Sequence, residues 1–250
     1  MLTDKLAAAL CAGALLATPL AARAEGGDAP LLHAGNDVRN KASLQRGARN
    51  FMNYCSGCHS AQYVRYNRIA ADLDIAAPEL KSNLMFTSER SSDTIRSAMP
   101  PGDASTWFGN APPDLSLIAR SRSPDYVYSF LKGFYLDPAR PHGVNNVVLP
   151  ATAMPHVLAA LQGTQRAVFV TRGGADPGLP VFEKFEPLAA GSLSPEKYDE
   201  FVRDTVNFLD YIAEPIQVER RDLGVWVMLF LLVFTAIAYL LKREYWRDVR

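Results

Sequence analysis

The sequence feature that most constrains the fold is a run of five residues, Cys55-Ser56-Gly57-Cys58-His59. Two thiols three positions apart lie on one face of a helical turn, and the histidine follows the first thiol by four positions on that same face. This is the C-x-x-C-H signal for attachment of a c-type haem. Each thiol can add to a vinyl group of one porphyrin, and the imidazole can bind the iron as proximal ligand. The pattern predicts a domain built around one covalently bound haem c.

The two thiols have three alternative uses: a structural disulfide, a dithiol redox pair, or half of a zinc site. A zinc site needs four ligands, and the sequence has no second cysteine pair. A thioredoxin-like pair requires a βαβ context, which the sequence does not indicate. A disulfide leaves His59 unexplained. We therefore assign Cys55 and Cys58 as haem-attachment residues and His59 as an iron ligand.

The N-terminus has the pattern of an export signal. Lys5 supplies a weak positive region, Leu6 to Leu20 is apolar, and Ala22-Arg23-Ala24 is an A-x-A-like cleavage site. An uncleaved anchor is the alternative, but this apolar run is short for a membrane span. We expect a signal peptide over residues 1–24 and an exported haem domain over 25–218.

The C-terminus has the pattern of a membrane anchor. Leu223 to Leu241 contains no charge, and at about 1.5 Å per residue a helix of this length approaches the thickness of a hydrocarbon core. Four basic residues follow: Lys242, Arg243, Arg247 and Arg250. By the positive-inside rule, residues 242–250 form a cytoplasmic tail. The expected location is the bacterial inner membrane, with a single span at 223–241 and the haem domain on the periplasmic side.

Between these ends the sequence predicts helices joined by long loops. Helical patterns cover Leu44 to Tyr54, Asp125 to Phe134, and a third stretch from Ser194 to Pro215. Loops are expected at Gly102 to Pro113 and at Asp137 to Pro155, which are rich in proline or glycine. No repeat or strand alternation stands out. The net charge is zero, so no basic field suggests a nucleic-acid partner.

A haem that only relays electrons has both axial positions filled, so a sixth ligand is required. Met154 lies between Pro150 and Pro155, and flanking prolines that hold the backbone extended suit presentation of a thioether to iron. Met99, which also precedes a proline, and His156 are the main alternatives. From these residues alone the choice stays open.

Further motifs follow one another in a fixed order. They are Leu44-Gln45-Arg46-Gly47, Cys55 through Ser60, Tyr63-Val64-Arg65-Tyr66-Asn67, Pro112-Pro113-Asp114-Leu115-Ser116, Asp125-Tyr126-Val127, Gly143-Val144-Asn145-Asn146, and the stretch from Ser194 through Glu214-Pro215 to the anchor. In this order they resemble the cytochrome c1 family, the haem subunit of the cytochrome bc1 (ubiquinol–cytochrome c reductase) complex. The resemblance covers nearly all of the chain after the signal segment.

The resemblance implies a mainly α, cytochrome c-like haem domain with long loops and one C-terminal transmembrane helix. It implies that Met154 is the sixth ligand and that an arginine after the Pro-Pro-Asp-Leu-Ser motif meets a haem propionate. Arg120 and Arg122 both fit, and we favour Arg122. Pro113 is expected to pack on the porphyrin, and Tyr126 to line its edge. One departure is Ala153, where family members often have glycine.

The resemblance also implies a function: the haem takes one electron from the Rieske iron–sulfur protein and passes it to a soluble or membrane-bound cytochrome c. The anchor would pack beside cytochrome b in a dimeric complex, and no residue is expected to be catalytic by itself. One alternative is a membrane-anchored monohaem cytochrome feeding a terminal oxidase or reductase. Another is a haem enzyme or gas sensor with an open sixth position, which requires that Met154 does not bind iron.

Negative charge is concentrated in one region. Between Gly173 and Glu219 there are ten acidic residues and three basic ones. Most of the acidic residues are expected on solvated surface. A sharper hypothesis is that some of them steer a basic electron acceptor towards the haem edge, in which case added salt slows the transfer.

Overall fold

The computed structural model describes residues 29–171 and 180–248, so the predicted signal peptide lies outside the described residues. The helices are α1 (Lys41–Tyr54), α2 (Tyr66–Asp72), α3 (Ala77–Asn83), α4 (Pro101–Phe108), α5 (Ile118–Arg122), α6 (Pro124–Lys132), α7 (Ala159–Gln162), α8 (Pro195–Ala213) and α9 (Gln217–Tyr245). The strands are β1 (Ala61–Arg65), β2 (Thr94–Ile95), β3 (Phe134–Leu136), β4 (Val144–Asn146), β5 (Gly163–Thr171) and β6 (Pro180–Ala190).

The three predicted helices of the haem domain are confirmed as α1, α6 and α8. Each begins at a polar cap: the side chains of Asn40, Ser123 and Ser194 accept hydrogen bonds from backbone N–H groups of the first turn. Helices α6 and α8 also have proline in the first turn, where no N–H is required. Helix α8 ends just before Pro215, as predicted.

The predicted loop at Gly102 to Pro113 is wrong in its first half, because α4 occupies it. Pro101 begins this helix, Asp103 lies in its first turn, and Gly109 ends it with a φ of 80°. A left-handed glycine is a common helix stop, and proline is favoured at a helix start. The proline and glycine here mark the ends of a helix. The predicted loop at Asp137 to Pro155 is confirmed apart from the short β4.

The strands form three antiparallel two-stranded ladders, β1–β2, β3–β4 and β5–β6. The sequence analysis predicted none of them. The longest ladder, β5–β6, has register irregularities between Thr164 and Gln165 and between Val168 and Phe169. An irregularity of this kind reverses which face each following side chain occupies, so an alternating pattern is not continuous along the strand.

The centre of the haem domain is the crossing of α1 and α8. A Cβ atom at Gly47 would lie 2.0 Å from the carbonyl oxygen of Asp204, so only glycine permits this approach. Beside it, the rings of Phe51 and Phe208 pack with centroids 5.7 Å apart. The close crossing fixes the direction in which α1 delivers the chain into the Cys55–His59 motif.

A buried carboxylate stabilises the same crossing of α1 and α8. Asp204, whose side chain is only 6% exposed, accepts hydrogen bonds from Arg46 Nε at 2.5 Å and from Ser43 Oγ at 2.6 Å. Ser43 Oγ in turn accepts a bond from Asn207 Nδ2. A buried carboxylate needs hydrogen-bond donors around it, and α1 supplies them to Asp204.

Helix α9 contains the predicted span, and it is the one helix within residues 29–171 and 180–248 that is long and apolar enough to cross a membrane. Its apolar side chains are exposed along the whole length. Ion pairs tie its first turns to the haem domain: Arg39 with Asp222 at 2.6 Å, and Arg220 with Glu214. The fold is therefore a mainly helical domain that ion pairs join to one long apolar helix.

Candidate haem site

A cavity of about 440 Å³ opens between the end of α1, helices α5, α6 and α8, and the loops that precede α5 and α7. Its lining is predominantly apolar. All three functional side chains of the haem motif line it, and so do Pro113, Arg122, Tyr126 and Met154 from the later segments. The structure therefore brings together residues that are up to 99 positions apart, from Cys55 to Met154.

The haem motif forms a turn that continues from α1. The N–H of Cys55 donates to Phe51 O at 2.9 Å, and the N–H groups of Cys58 and His59 donate to Cys55 O at 3.0 and 2.8 Å. Both cysteines are free thiols, as addition to a porphyrin requires. Burial raises the pKa of the Cys55 thiol to about 12, with a smaller contribution from Cys58, which keeps the sulfur protonated.

The zinc alternative receives no support from the surroundings of these thiols. In the described part of the chain, no group of three or more His, Cys, Asp and Glu side chains is placed to hold a metal ion. Zinc at a structural site takes four protein ligands.

His59 is held in one tautomer. Its Nδ1 lies 2.8 Å from the carbonyl oxygen of Pro113, which can only accept, so Nδ1 carries the proton. The lone pair on Nε2 is then available for a metal. Burial lowers the pKa of His59, while the Pro113 carbonyl and the Asp114 carboxylate act in the opposite direction. The imidazole is therefore neutral at pH 7, as a metal ligand must be.

Met154 reaches the cavity on a loop that asparagine side chains hold in shape. Asn145 Oδ1 accepts from the N–H of Ala151 at 2.8 Å, and Asn146 Oδ1 accepts from Val148 at 2.9 Å. Ala151 has a φ of 62°, a left-handed conformation unusual for alanine. The sequence analysis quoted both asparagines only as part of a family motif, and the structure gives them a role in shaping this loop.

The other two residues considered as sixth ligands do not line the cavity. The N–H of Met99 donates to Ser97 Oγ at 3.0 Å, and this hydroxyl donates to the carbonyl oxygen of Gly57 at 2.8 Å. The His156 ring stacks on Phe134 with centroids 4.8 Å apart. Burial lowers the pKa of His156 to about 4, so this imidazole is a neutral packing group.

The two arginines that follow the Pro-Pro-Asp-Leu-Ser motif differ in placement. Arg122 lines the cavity, and its guanidinium lies over the Tyr126 ring, 5.6 Å from the centroid. Arg120 points elsewhere and forms an ion pair with Glu214 at 2.8 Å. Ser123, between α5 and α6, has a φ of 84° and produces the bend that leaves Arg122 at the cavity.

The sequence analysis missed several residues of the cavity wall. Phe130 stacks on Tyr126 with centroids 6.4 Å apart, and its i, i+4 spacing from Tyr126 was a usable signal. Asn50 is buried and donates to Thr205 Oγ1 at 3.2 Å, which satisfies the polar groups of this wall. The partner of Asn50 lies 155 positions away in sequence, so no local pattern indicates this residue.

Five of the nine acidic residues that the structure describes between Gly173 and Glu219 form ion pairs with neighbouring cations. Ion pairs join Glu186 to Arg166, Asp199 to Lys132, Glu200 to Lys197, Asp204 to Arg46, and Glu214 to Arg120 and Arg220. The hydrogen bond from Arg220 is the main reason that the pKa of Glu214 lies below its usual range. Glu183, Glu196 and Glu219 form no ion pair with another described residue. The predicted surplus of negative charge is therefore smaller than the sequence count suggests.

The geometry fits a covalently bound haem. One cavity presents two free thiols, an imidazole with a fixed tautomer, a thioether and an arginine within an apolar lining. A model of the Cytochrome C1 family matches residues 36–249. The chain belongs to the cytochrome c1 family.

Individual relatives agree with this family. Cytochrome c1 of Allochromatium vinosum is 52% identical over 94% of this chain and 96% of its own length. The ammonia monooxygenase gamma subunit of Nitrosomonas europaea is 40% identical over the same shares. Cytochrome c1 of Rhodospirillum rubrum is 29% identical over 84% of this chain and 83% of its own length.

Membership of the cytochrome c1 family confirms the predicted fold class and one covalently bound c-type haem as the cofactor. The chain is the haem-carrying electron-transfer subunit of the bc1 complex, a membrane complex with cytochrome b and the Rieske protein. With α9, the chain is anchored in the membrane.

Proposed function

We propose that Cys55 and Cys58 hold the haem through thioether bonds and that His59 and Met154 are its two axial ligands. The observation that carries this proposal is that all four side chains line one cavity, whereas Met99 and His156 do not. The haem, when bound, supplies a one-electron Fe(III)/Fe(II) couple. Two protein ligands leave no position at which the iron could bind a substrate.

The other cavity residues have supporting roles. Pro113 and Tyr126 pack against the porphyrin, and the apolar wall excludes water from it. Arg122 pairs with a haem propionate, because a carboxylate beside a nearly buried cofactor needs a charge-assisted partner. Stacking on Tyr126 holds the guanidinium at the cavity wall. Arg120 has its partner in Glu214, which leaves it the weaker choice for the propionate.

The proposed topology places the haem domain, residues 25–218, on the periplasmic side. The span at 223–241 crosses the inner membrane, and 242–250 remains in the cytoplasm. Basic residues after the apolar stretch support this orientation. The haem then receives an electron from the Rieske protein and passes it to a soluble or membrane-bound cytochrome c, within a dimeric complex.

Binding of carbon monoxide tests whether the sixth position is filled. We expect that the reduced, haem-loaded protein does not bind carbon monoxide readily at neutral pH. The Met154→Ala variant serves as the positive control and should bind it, because this substitution opens the sixth position. Ready binding by the wild-type protein would contradict ligation by Met154 and favour a haem enzyme or gas sensor.

Covalent attachment is tested separately by mass spectrometry of the purified chain. The wild-type mass should include one haem that survives denaturation. Cys55→Ala and Cys58→Ala should each retain a single thioether bond, and the double variant should lose the haem on denaturation. A double variant that keeps its haem under denaturing conditions would contradict the assignment of these two cysteines.

A further inference from the structure

Two chain segments run side by side at the haem motif, residues 59–63 and residues 113–116. The N–H of Leu115 donates to the carbonyl oxygen of Ser60 at 2.8 Å, as in a β ladder. Further along, the N–H groups of Gln62 and Tyr63 donate to no backbone carbonyl of residues 113–116. Side chains replace the missing backbone bonds.

Asp114 accepts most of the hydrogen bonds that take the place of backbone bonds. Its Oδ2 accepts from the N–H of Gln62 at 3.0 Å, and its Oδ1 accepts from the N–H of Ser116 at 2.8 Å. Ser116, which is 1% exposed, continues the connection, since its Oγ accepts from the N–H of Tyr63 at 3.1 Å. The carboxylate of Asp114 therefore shapes its own turn and fastens that turn to the chain just after His59.

The carbonyl group that this arrangement fixes belongs to Pro113, the residue immediately before Asp114. That carbonyl accepts the Nδ1 proton of His59 at 2.8 Å. We propose that Asp114 is a positioning residue: it holds the Pro113 carbonyl against His59 and thereby sets the orientation and donor strength of the imidazole. This inference rests on the proposed role of His59 as an iron ligand.

Two physical effects of Asp114 act in the same direction. A firm hydrogen bond from Nδ1 makes the imidazole a stronger donor, which favours ferric over ferrous iron. The Asp114 carboxylate directly follows the residue whose carbonyl meets His59, so its negative charge also lies near the iron site and likewise favours the ferric state. Asp114 therefore lowers the midpoint potential of the haem.

The test compares four variants of the full-length, haem-loaded protein. Asp114→Ala removes both acceptors and the charge, Asp114→Asn removes the charge and leaves one acceptor, and Ser116→Ala weakens the connection without a change of charge. Asp37→Ala is the matched control, because Asp37 Oδ1 accepts from the N–H of Arg39 in the same i, i+2 pattern away from the cavity.

At the wild-type midpoint potential, Asp114→Ala should raise the ratio of reduced to oxidised haem about three- to tenfold, where tenfold corresponds to about 59 mV for one electron. The EPR g values of its oxidised form should also move, because they report the orientation of the axial imidazole. Ser116→Ala should move the g values in the same direction as Asp114→Ala. It should change the ratio of reduced to oxidised haem by a smaller factor than Asp114→Ala does. Asp37→Ala should change neither quantity.

A purely structural role for Asp114 would lower Tm and leave the potential and the g values at their wild-type values, and this result would overturn the proposal. If the alanine variant does not acquire its haem, Asp114→Asn keeps the test decisive. An unchanged ratio of reduced to oxidised haem in the asparagine variant also contradicts the proposal. A wild-type spectrum without the charge-transfer band of a thioether bound to ferric low-spin haem would instead count against Met154 ligation and so against the proposed function. The two failures are therefore distinguishable.

Discussion

At the scale of single residues, Met154 decides whether this haem relays electrons or reacts. Its loop is held by Asn145 and Asn146, so hydrogen bonds within the protein place the thioether at the cavity. We expect Met154→His to keep the haem attached and to lower the midpoint potential by on the order of 0.1 to 0.3 V, because a thioether favours ferrous iron more than an imidazole does. Potentiometric titration measures the change.

The matched control for this prediction is Met99→His. Met99 has the same position before a proline but does not line the cavity, so its replacement should leave the potential unchanged. A Met154→His variant with the wild-type potential would refute ligation by Met154.

The two arginines after the Pro-Pro-Asp-Leu-Ser motif provide a second prediction at this scale. Arg122→Gln should lower the midpoint potential by roughly 30 to 60 mV, because a cation beside the cofactor stabilises the reduced, more negative haem. Arg120→Gln should leave the potential unchanged, since Arg120 pairs with Glu214 outside the cavity. The opposite pattern in the same titration would assign the propionate to Arg120.

At the scale of elements, the crossing of α1 and α8 depends on one glycine. Gly47→Ala would bring a Cβ against the backbone of Asp204, and neither helix can move without disturbing Phe51 and Phe208. We expect a loss of about 1–3 kcal/mol in the free energy of unfolding, measured by denaturant titration of the haem-loaded protein.

Gly102 offers the matched control, because a Cβ at this helical position meets nothing within 4 Å. Gly102→Ala in α4 should leave the protein as stable as the wild type or slightly more stable. Equal stability of the Gly47 and Gly102 variants would show that the helices are not in the close contact described.

How far the sequence predicts the elements depends on where their signals lie. The helices α1, α6 and α8 were predictable because their signals are local: apolar spacing in each of them, and in α6 and α8 a capping serine followed by proline. Helix α4 was missed because the same residue types, Pro101 and Gly109, are also typical of loops. The ladder β5–β6 was missed because its register irregularities break the alternation that identifies a strand.

The candidate site divides in the same way. The motif at Cys55–His59 is local, so its chemistry followed from spacing alone. The choice between Arg120 and Arg122 depended on the bend at Ser123 and on Glu214, which lies about a hundred residues away. Contacts at such separations leave no local trace in one sequence. Residue spacing left the sixth ligand open, and the family resemblance was what favoured Met154.

At the scale of the whole molecule, the charge distribution bears on how an acceptor approaches. Most acidic residues of the C-terminal half are in ion pairs, and Glu183, Glu196 and Glu219 are the strongest remaining candidates for steering a basic cytochrome. We expect raised ionic strength to slow electron transfer to a basic acceptor in stopped-flow measurements.

Substitution of all three glutamates by glutamine should weaken this dependence on salt. Each single glutamate-to-glutamine variant has its matched control in Glu79→Gln on α3, which makes the same change of charge in a different part of the fold. A transfer rate indifferent to salt in the wild-type protein would contradict electrostatic steering altogether.

The central claim is that this chain is a relay with one six-coordinate haem inside a larger quinol-oxidising complex. The most direct measurement is an optical redox titration of the protein purified in mild detergent with its co-purifying subunits. The account predicts one c-type haem that titrates with a single electron at a high potential, accompanied by b-type haem from cytochrome b. A preparation with the c-type haem but no b-type haem would contradict it and favour a tethered cytochrome that feeds a terminal oxidase or reductase.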